Sequence, residues 1–376
     1  MDLRLDRASR PDRAPGEDAW VADDTVARQR AGTDYAEMMA RYLGPVVMTA
    51  LADDDVTEVY VNPHDGRLRL DTHRTGRVDT PHVVPAARLE MFLNAVATAQ
   101  GTTLGSANPQ LQAELPTERF AGARLQGFLP PATPGVAITI RKRPTRVYTL
   151  DDYVARGALS PCWRAALRTA VRERWTIVVC GPTGAGKSTL ANALLQEIAD
   201  SCPDERLAVL EDTVELQCRV PDYIALRTTA TLSLAALVKA TLRTSPTRIV
   251  IGEVRDASAL DFLDAAATGH PGGICTVHAS SARGALERLD RLAQRANVPS
   301  QRALIADAVQ LVVVMANGGA TAVDPMQTVA VPDIGTTSTS PPPRRRVLDL
   351  VRVTGLARDA GFVLYRCSES GTWEPC

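Results

Sequence analysis

The sequence lacks any apolar run near the roughly 20 residues that a helix needs to span a bilayer. Its longest, Leu311-Val312-Val313-Val314-Met315-Ala316, is enough for one buried strand, so any membrane contact is expected to be peripheral. The apolar centre of a secretory leader is missing too. The first residues alternate acid and base (Asp2, Arg4, Asp6, Arg7, Arg10, Asp12, Arg13), and nothing in them directs export. No two of the seven cysteines (Cys162, Cys180, Cys202, Cys218, Cys275, Cys367, Cys376) are spaced C-x-x-C, which argues against a zinc ribbon and a disulfide framework. They read as reduced thiols, with a cytoplasmic location as the expectation. A basic excess is absent, Lys+Arg 42 against Asp+Glu 43 giving a formal charge of -1, and aromatic residues are only 4%. Grooves for nucleic-acid strands pair basic residues with stacking rings, so no stable nucleic-acid binding is expected.

What is present is a globular composition, 45% hydrophobic and 23% charged, which excludes wholesale disorder, collagen and coiled coil. A chain of 376 residues points to two domains. Residues 1–34 are polar, punctuated by Pro and Gly and without period, and are expected to form a disordered tail. From Tyr35, the residues Met38, Met39, Tyr42, Leu43, Val46, Val47 and Leu51 recur at helical spacing, with Gly44-Pro45 kinking or dividing the helix. Strands are expected at Val56 to Val61, Leu68 to Asp71, Leu111 to Leu115, Ala123 to Leu129 and Val136 to Arg141, and a helix near Ala86 to Ala99. This makes 35–144 a smaller α+β domain, followed by a linker at 145–152.

Over 153–316 strands and helices alternate, which predicts an α/β domain with a parallel-core sheet. Its strands, Thr176 to Cys180, Leu207 to Leu210, Ile249 to Ile251 and Ile274 to Val277, are nearly continuous apolar runs, as when both sheet faces are covered. Helices are expected at Lys187 to Ile198, Leu232 to Leu242, Ala257 to Ala267 and Ala282 to Ala296. Residues 317–346, with Gly318-Gly319, Pro341-Pro342-Pro343 and Arg344-Arg345-Arg346, read as a low-complexity disordered insertion. The triple arginine reads as solvated loop. The remainder, 347–376, is expected to hold C-terminal strands and a tail.

Gly181-Pro182-Thr183-Gly184-Ala185-Gly186-Lys187-Ser188, followed by Thr189, fits the phosphate-loop pattern G-x-x-x-x-G-K-[ST] between a buried strand and an amphipathic helix. Glycines there let backbone N–H groups wrap phosphates, Lys187 reaches β and γ oxygens, and Ser188 holds Mg²⁺. In a parallel sheet the partners of such a loop sit at the carboxyl ends of strands. Glu211, Asp212, Glu253 and His278 all occupy such ends. Glu253 is expected to orient or deprotonate the attacking water and to meet Mg²⁺ through water, with Glu211 as a second carboxylate at water or metal-bound water. Gly252 stands where a second phosphate-loop motif usually has Asp, so Mg²⁺ falls mainly to Ser188, phosphate and water. His278 is expected to donate to the γ-phosphate and sense its loss. His270, in Thr268-Gly269-His270-Pro271-Gly272-Gly273, is left open between turn structure and nucleotide sensing. No Asn-Lys-x-Asp segment for reading guanine appears.

The phosphate loop, Leu210-Glu211-Asp212-Thr213-Val214-Glu215-Leu216, Arg248 to Glu253-Val254-Arg255, and Thr268 to Gly273 through Thr276-Val277-His278 together resemble the secretion (traffic) ATPases of type II and type IV systems. There they are named the Walker A, Asp box, atypical Walker B and His box. Asp53 to Pro63, Arg124 to Pro131, Ile140-Arg141-Lys142 and Tyr148 to Tyr153 are similar to conjugal-transfer ATPases of the TrbB type. The resemblance implies a PAS-like N-terminal domain, a RecA-like P-loop ATPase domain, a homo-hexameric ring, and ATP bound between the domains. It also implies that N-terminal arginines approach the γ-phosphate; Arg124 and Arg141 stand on the matching strands, with Arg119 and Arg143 as neighbours. The chain departs from the pattern in having no four-cysteine metal module and in its 317–346 insertion. The expected function is an ATP-hydrolysing motor of a conjugative type IV secretion system, powering substrate transfer or pilus assembly by domain closure around ATP. Its partners would be inner-membrane channel components. The alternatives are a pilus assembly or retraction ATPase, and a nucleotide-switched scaffold with little turnover.

Overall fold

The computed structural model describes residues 34–72, 75–143, 147–229, 231–317, 345–357 and 361–376. The expected tail and insertion lie outside these residues except at 34, 317, 345 and 346, which belong to a helix and two strands. The chain divides into two compact units at residues 145 and 146.

In the first unit, α1 (34–43) and α2 (Pro45–Ala52) are separate helices. The break falls at Gly44, whose φ of +83° is left-handed and easy only for glycine. Arg88 donates to the carbonyls of Tyr42 (2.9 Å) and Arg41 (2.5 Å), so a cation caps the negative end of α1. There follow β1 (Val56–Val61), β2 (Arg67–Thr72), β3 (Gly76–Val83), α3 (Ala86–Ala99), β4 (Gln110–Glu114), α4 (Thr117–Phe120), β5 (Arg124–Phe128) and β6 (Ala137–Arg141). The strands form one antiparallel sheet in the order β3-β2-β1-β6-β5-β4. Helix α3 packs closely on it: a Cβ at Gly127 would lie 2.4 Å from Leu93 Cδ2. Strand β3 has no counterpart among the expected elements. It is an edge strand whose residues are all half-buried or exposed, and it carries Pro81, which only an edge tolerates well.

The second unit holds α5 (Leu150–Ala155), α6 (Pro161–Arg172), β7 (Ile177–Cys180), α7 (Lys187–Ser201), β8 (Arg206–Glu211), β9 (Asp222–Arg227), α8 (Leu234–Thr241) and β10 (Arg248–Ile251). It continues with α9 (Ser258–Thr268), β11 (Ile274–Val277), α10 (Ala282–Ala293), α11 (Arg302–Ala308), β12 (Leu311–Asn317), β13 (Arg345–Leu356), β14 (Phe362–Cys367) and β15 (Trp373–Pro375). Helix α5 begins inside the expected linker because Thr149 and Asp152 form a reciprocal capping box. The sheet order is β15-β14-β13-β12-β7-β11-β10-β8-β9. From β9 to β12 every pair is parallel, and β13 to β15 add an antiparallel flank. The sheet is therefore mixed around a parallel core. Both faces are covered: Ile177 and Val179 pack with α6 and α7, while Val178 and Cys180 pack with α9 and α10.

At the amino end of the parallel strands, opposite the phosphate loop, Arg248 is buried to 1% exposure. Its guanidinium donates to Glu205 through Nε and, at 3.0 Å, through Nη2, and to the Val171 carbonyl (2.8 Å). Arg174 adds a second contact to Glu205 at 2.8 Å. Burial pushes the Glu205 carboxyl up, but Arg248 and Arg174 together hold it below its ordinary range. Arg248→Met strips the buried carboxylate of its main partner and should cost roughly 3–5 kcal/mol in urea unfolding. A depressed carboxyl stabilises the fold above its unfolded pKa and loses that contribution as pH falls through the folded one. The cost of Arg248→Met should accordingly shrink as the pH is lowered below about 4.

Candidate active site

The phosphate loop joins β7 to α7, and its glycines answer distinct demands. A Cβ at Gly181 would lie 2.6 Å from the Met315 carbonyl oxygen of the adjoining β12. Gly184 and Gly186 take φ of +77° and +90°, which L side chains adopt only under strain. Gly186 is the N-cap of α7, so first-turn N–H groups and the positive end of the helix meet at the loop. Ala185 is wholly buried and fixes the loop to the core, whereas Pro182 and Thr183 are exposed. Thr189 lies half-buried in the first turn of α7.

Lys187 donates to the loop carbonyls of Gly181 (3.0 Å) and Pro182 (3.1 Å) and to His278 Nδ1 (3.2 Å). An ammonium only donates, so Nδ1 accepts and the ring proton sits on Nε2, which lies 2.9 Å from Glu253 Oε1. Burial holds the His278 pKa below its ordinary value, with Lys187 and Arg255 adding to the shift against Glu253; the ring is neutral near pH 7. Burial pushes the Glu253 carboxyl up, but Arg255, His278 and Lys187 outweigh it and keep it ionised. Arg255 Nη2 holds Glu253 Oε2 at 2.5 Å. The result is a continuous chain, Lys187 to His278 to Glu253 to Arg255, running from the phosphate loop across the ends of β11 and β10.

Glu211 closes the carboxyl end of β8. Its buried Oε1 accepts from the backbone N–H groups of Glu215 and Leu216, both at 2.8 Å, so it shapes the following loop. The carboxylate delivered to the phosphate loop is that of Glu215, which accepts from Ser188 Oγ. Asn192, one helical turn beyond Ser188, donates to the Glu215 carbonyl (3.0 Å) and accepts from the Gln217 N–H (2.7 Å). Glu215, Asn192 and Arg255 are absent from the expected site; the i, i+4 spacings Glu211–Glu215 and Ser188–Asn192 were the available signals. The glycine at 252 is explained as well: a Cβ there would lie 3.1 Å from Glu211 Cγ and 3.2 Å from Oε1. Glu211 fills the space that a side chain at 252 would need.

The two histidines part company. His270 precedes β11 at the opposite end of the sheet and donates from Nδ1 to the Pro246 carbonyl (2.7 Å). Gly272, at φ +81°, leaves room for Arg248 Nη1, which would lie 2.7 Å from a Cβ there. That turn serves the buried ion pair. Arg124 and Arg141 belong to the first unit, directly opposite each other on β5 and β6. Arg119 pairs with Glu37 (2.9 Å) and Arg143 with Glu114 (2.5 Å).

A family model described as type II/IV secretion system protein matches residues 37–325. The conjugal transfer protein TrbB of Rhizobium radiobacter is 41% identical over 277 residues, covering 74% of this chain and 84% of the relative. The type IV secretion system protein PtlH of Bordetella pertussis is 33% identical over 301 residues, covering 70% and 86%. The ATPase DotB of Legionella pneumophila superposes with a TM-score of 0.51 at 20% identity over 70% of this chain and 73% of that one, a likeness of fold. With the family model reaching into both units and the phosphate loop intact at every fixed position, the chain belongs to the type II/IV secretion system proteins and is an ATPase of that family.

Proposed function

We propose that this ATPase is a homo-hexameric motor of a conjugative type IV secretion apparatus, converting ATP hydrolysis into substrate transfer or pilus assembly. The observation that carries the reading is the Lys187–His278–Glu253 chain, which ties the phosphate loop to the carboxylate at the end of β10. The 41% identity to a conjugal transfer protein supports the choice of apparatus. Lys187 exchanges its loop carbonyls for the β and γ oxygens of ATP. His278 loses its ammonium donor in that exchange and turns toward the γ-phosphate, which makes it the sensor. Glu253 takes the proton of the attacking water, and Glu211 holds the Glu215 loop in place.

Hard oxygen donors suit Mg²⁺, and Ser188 Oγ with the Glu215 carboxylate beside it is such a pair. Among the described residues no group of His, Cys, Asp and Glu could hold a metal by itself. Ser188 would hold Mg²⁺, with Glu253 meeting it through water, and the ion would neutralise phosphate charge. The antiparallel sheet and α3 of the first unit support a PAS-like domain, with Arg124 and Arg141 as its contribution to the γ-phosphate. Among the described residues no helix is long and apolar enough to cross a membrane. The likeness to a type IV secretion system protein supports the cytoplasmic face of the inner membrane, against channel components, as the motor's proposed place.

In the host, a Glu253→Gln replacement should still assemble six-membered rings, measured by light scattering, and reduce plasmid transfer to the level of a deletion. Transfer at the wild-type frequency would leave hydrolysis outside the transport step and favour a nucleotide-switched scaffold.

A further inference from the structure

Helix α6 and the β14–β15 hairpin meet on one face of the large sheet. Cys367, the last residue of β14, packs in the core that holds Leu167, Ala170 and Val171 of α6, whereas Phe362 and Leu364 of the same strand turn to the opposite core. Trp373 stands opposite Cys367 in the hairpin. Trp163 of α6 donates its ring N–H to the carbonyls of Cys367 (3.0 Å) and Ser368 (3.2 Å), so the first turn of the helix sits on the end of β14. Cys162 precedes Trp163 in that turn. The hairpin closes tightly, with the Ser368 N–H on the Thr372 carbonyl (2.8 Å) and the Gly371 N–H on the Ser368 carbonyl (3.0 Å). Gly371 is thereby folded onto Cys162: a Cβ there would lie 3.6 Å from Cys162 Cβ and 3.8 Å from its Sγ. Two contacts from one helical turn, Trp163 on residue 367 and Cys162 on residue 371, bring the two cysteines to one place. Both are free thiols, Cys162 half-buried and Cys367 buried. Burial, the neighbouring Cys162 and Asp349 together hold the Cys367 thiol above its ordinary pKa.

The geometry points to Cys162 and Cys367 as a modification site, a dithiol that a small-molecule disulfide such as oxidised glutathione converts to a disulfide within the chain. A thiolate is the attacking species, and Cys162 is the reachable sulfur. Its thiolate attacks glutathione disulfide, forming a mixed disulfide and releasing one glutathione thiolate. The Cys367 thiolate then attacks the Cys162 sulfur, forms the protein disulfide and displaces the second glutathione. Two protein thiols give up two protons and two electrons, and one glutathione disulfide becomes two thiols. Cys367, buried and with its thiolate disfavoured, is the slower resolving partner. The new bond staples the antiparallel flank to α6 and closes a long loop, the kind of cross-link that restricts the unfolded chain most.

The test uses the full chain, incubated with oxidised glutathione, alkylated and run on a non-reducing gel; the monomer band is digested without reductant for mass spectrometry. One linked peptide pair, Cys162 to Cys367, is expected, absent in Cys162→Ser and lost from the wild type on treatment with dithiothreitol. The oxidised wild type should melt at least about 4 °C above the reduced protein, with no such gain in Cys162→Ser, whose melting before oxidation checks that it is folded. Cys367→Ala should stop the reaction halfway, with glutathione held on Cys162. Glutathione left on Cys162 of the wild type, alkylation of both cysteines as free thiols, or a link from either to another cysteine overturns the pairing. A linked pair without a gain in melting overturns the staple.

Discussion

Glu253→Gln should bind ATP as the wild type does and hydrolyse it at least about 100-fold more slowly, whereas Lys187→Ala should lose binding and turnover together. The difference follows from what each side chain touches. Glutamine keeps the volume of Glu253 and an oxygen for His278 Nε2–H, at present 2.9 Å away, so the strand end is preserved while the ionised base is gone. Lysine 187 is the donor shared by the Gly181 and Pro182 carbonyls and His278 Nδ1. Its removal takes away a group that spans the loop and the sensor, and with it a positive charge at the loop. Phosphate release and fluorescent-nucleotide binding on the same preparations separate the two effects. Near-wild-type release by Glu253→Gln would remove that residue from the mechanism.

The elements most legible in the sequence were those buried on both sides. Strands β7, β8, β10 and β11 are continuous apolar runs because helices cover both faces of the sheet, and the helices between them show one apolar stripe each. Edge strands β3 and β9 carry no such signal, since their residues are half-buried or exposed. The Ser160-Pro161 start of α6 is a standard helix entry, yet the helix has no counterpart among the expected elements. The triple arginine shows the limit of composition: Arg345 and Arg346 are the first residues of β13, paired in register with Asn317 and Ala316. In the site, motif spacing marked the phosphate loop and strand ends but not the direction of a side chain. Nothing in the order of residues tells that Glu211 turns to two backbone amides while Glu215 reaches Ser188; only the loop between them decides it.

Replacing both Arg124 and Arg141 by alanine should lower turnover of the full chain by roughly 10³-fold or more, in the range of other arginine fingers, while leaving ATP binding through Lys187 in place. Arg124 and Arg141 face each other across β5 and β6, which puts their Cβ atoms about 5 Å apart on one face of the sheet, where like charges repel. Glu58 flanks Arg141 and Glu114 flanks Arg124 in the same row, with Asp71 beyond Glu58. The acids do not simply cancel the pair: Glu114 is also bound to Arg143, and burial, together with Asp71, holds the Glu58 carboxyl above its ordinary range despite Arg141. Guanidinium groups match oxygen-rich anions, and a γ-phosphate in transit is such an anion. Fingers that serve a nucleotide of the second unit would couple ATP binding to an approach of the two units and phosphate release to their separation. The double variant should therefore also lose any ATP-dependent compaction seen by small-angle scattering. Mixing Arg-deficient with Lys187-deficient subunits then separates two geometries, because only fingers that serve a neighbour's ATP restore activity in mixed rings. If the double-alanine protein hydrolyses ATP at the wild-type rate and still compacts, the finger assignment and the closure stroke fail together.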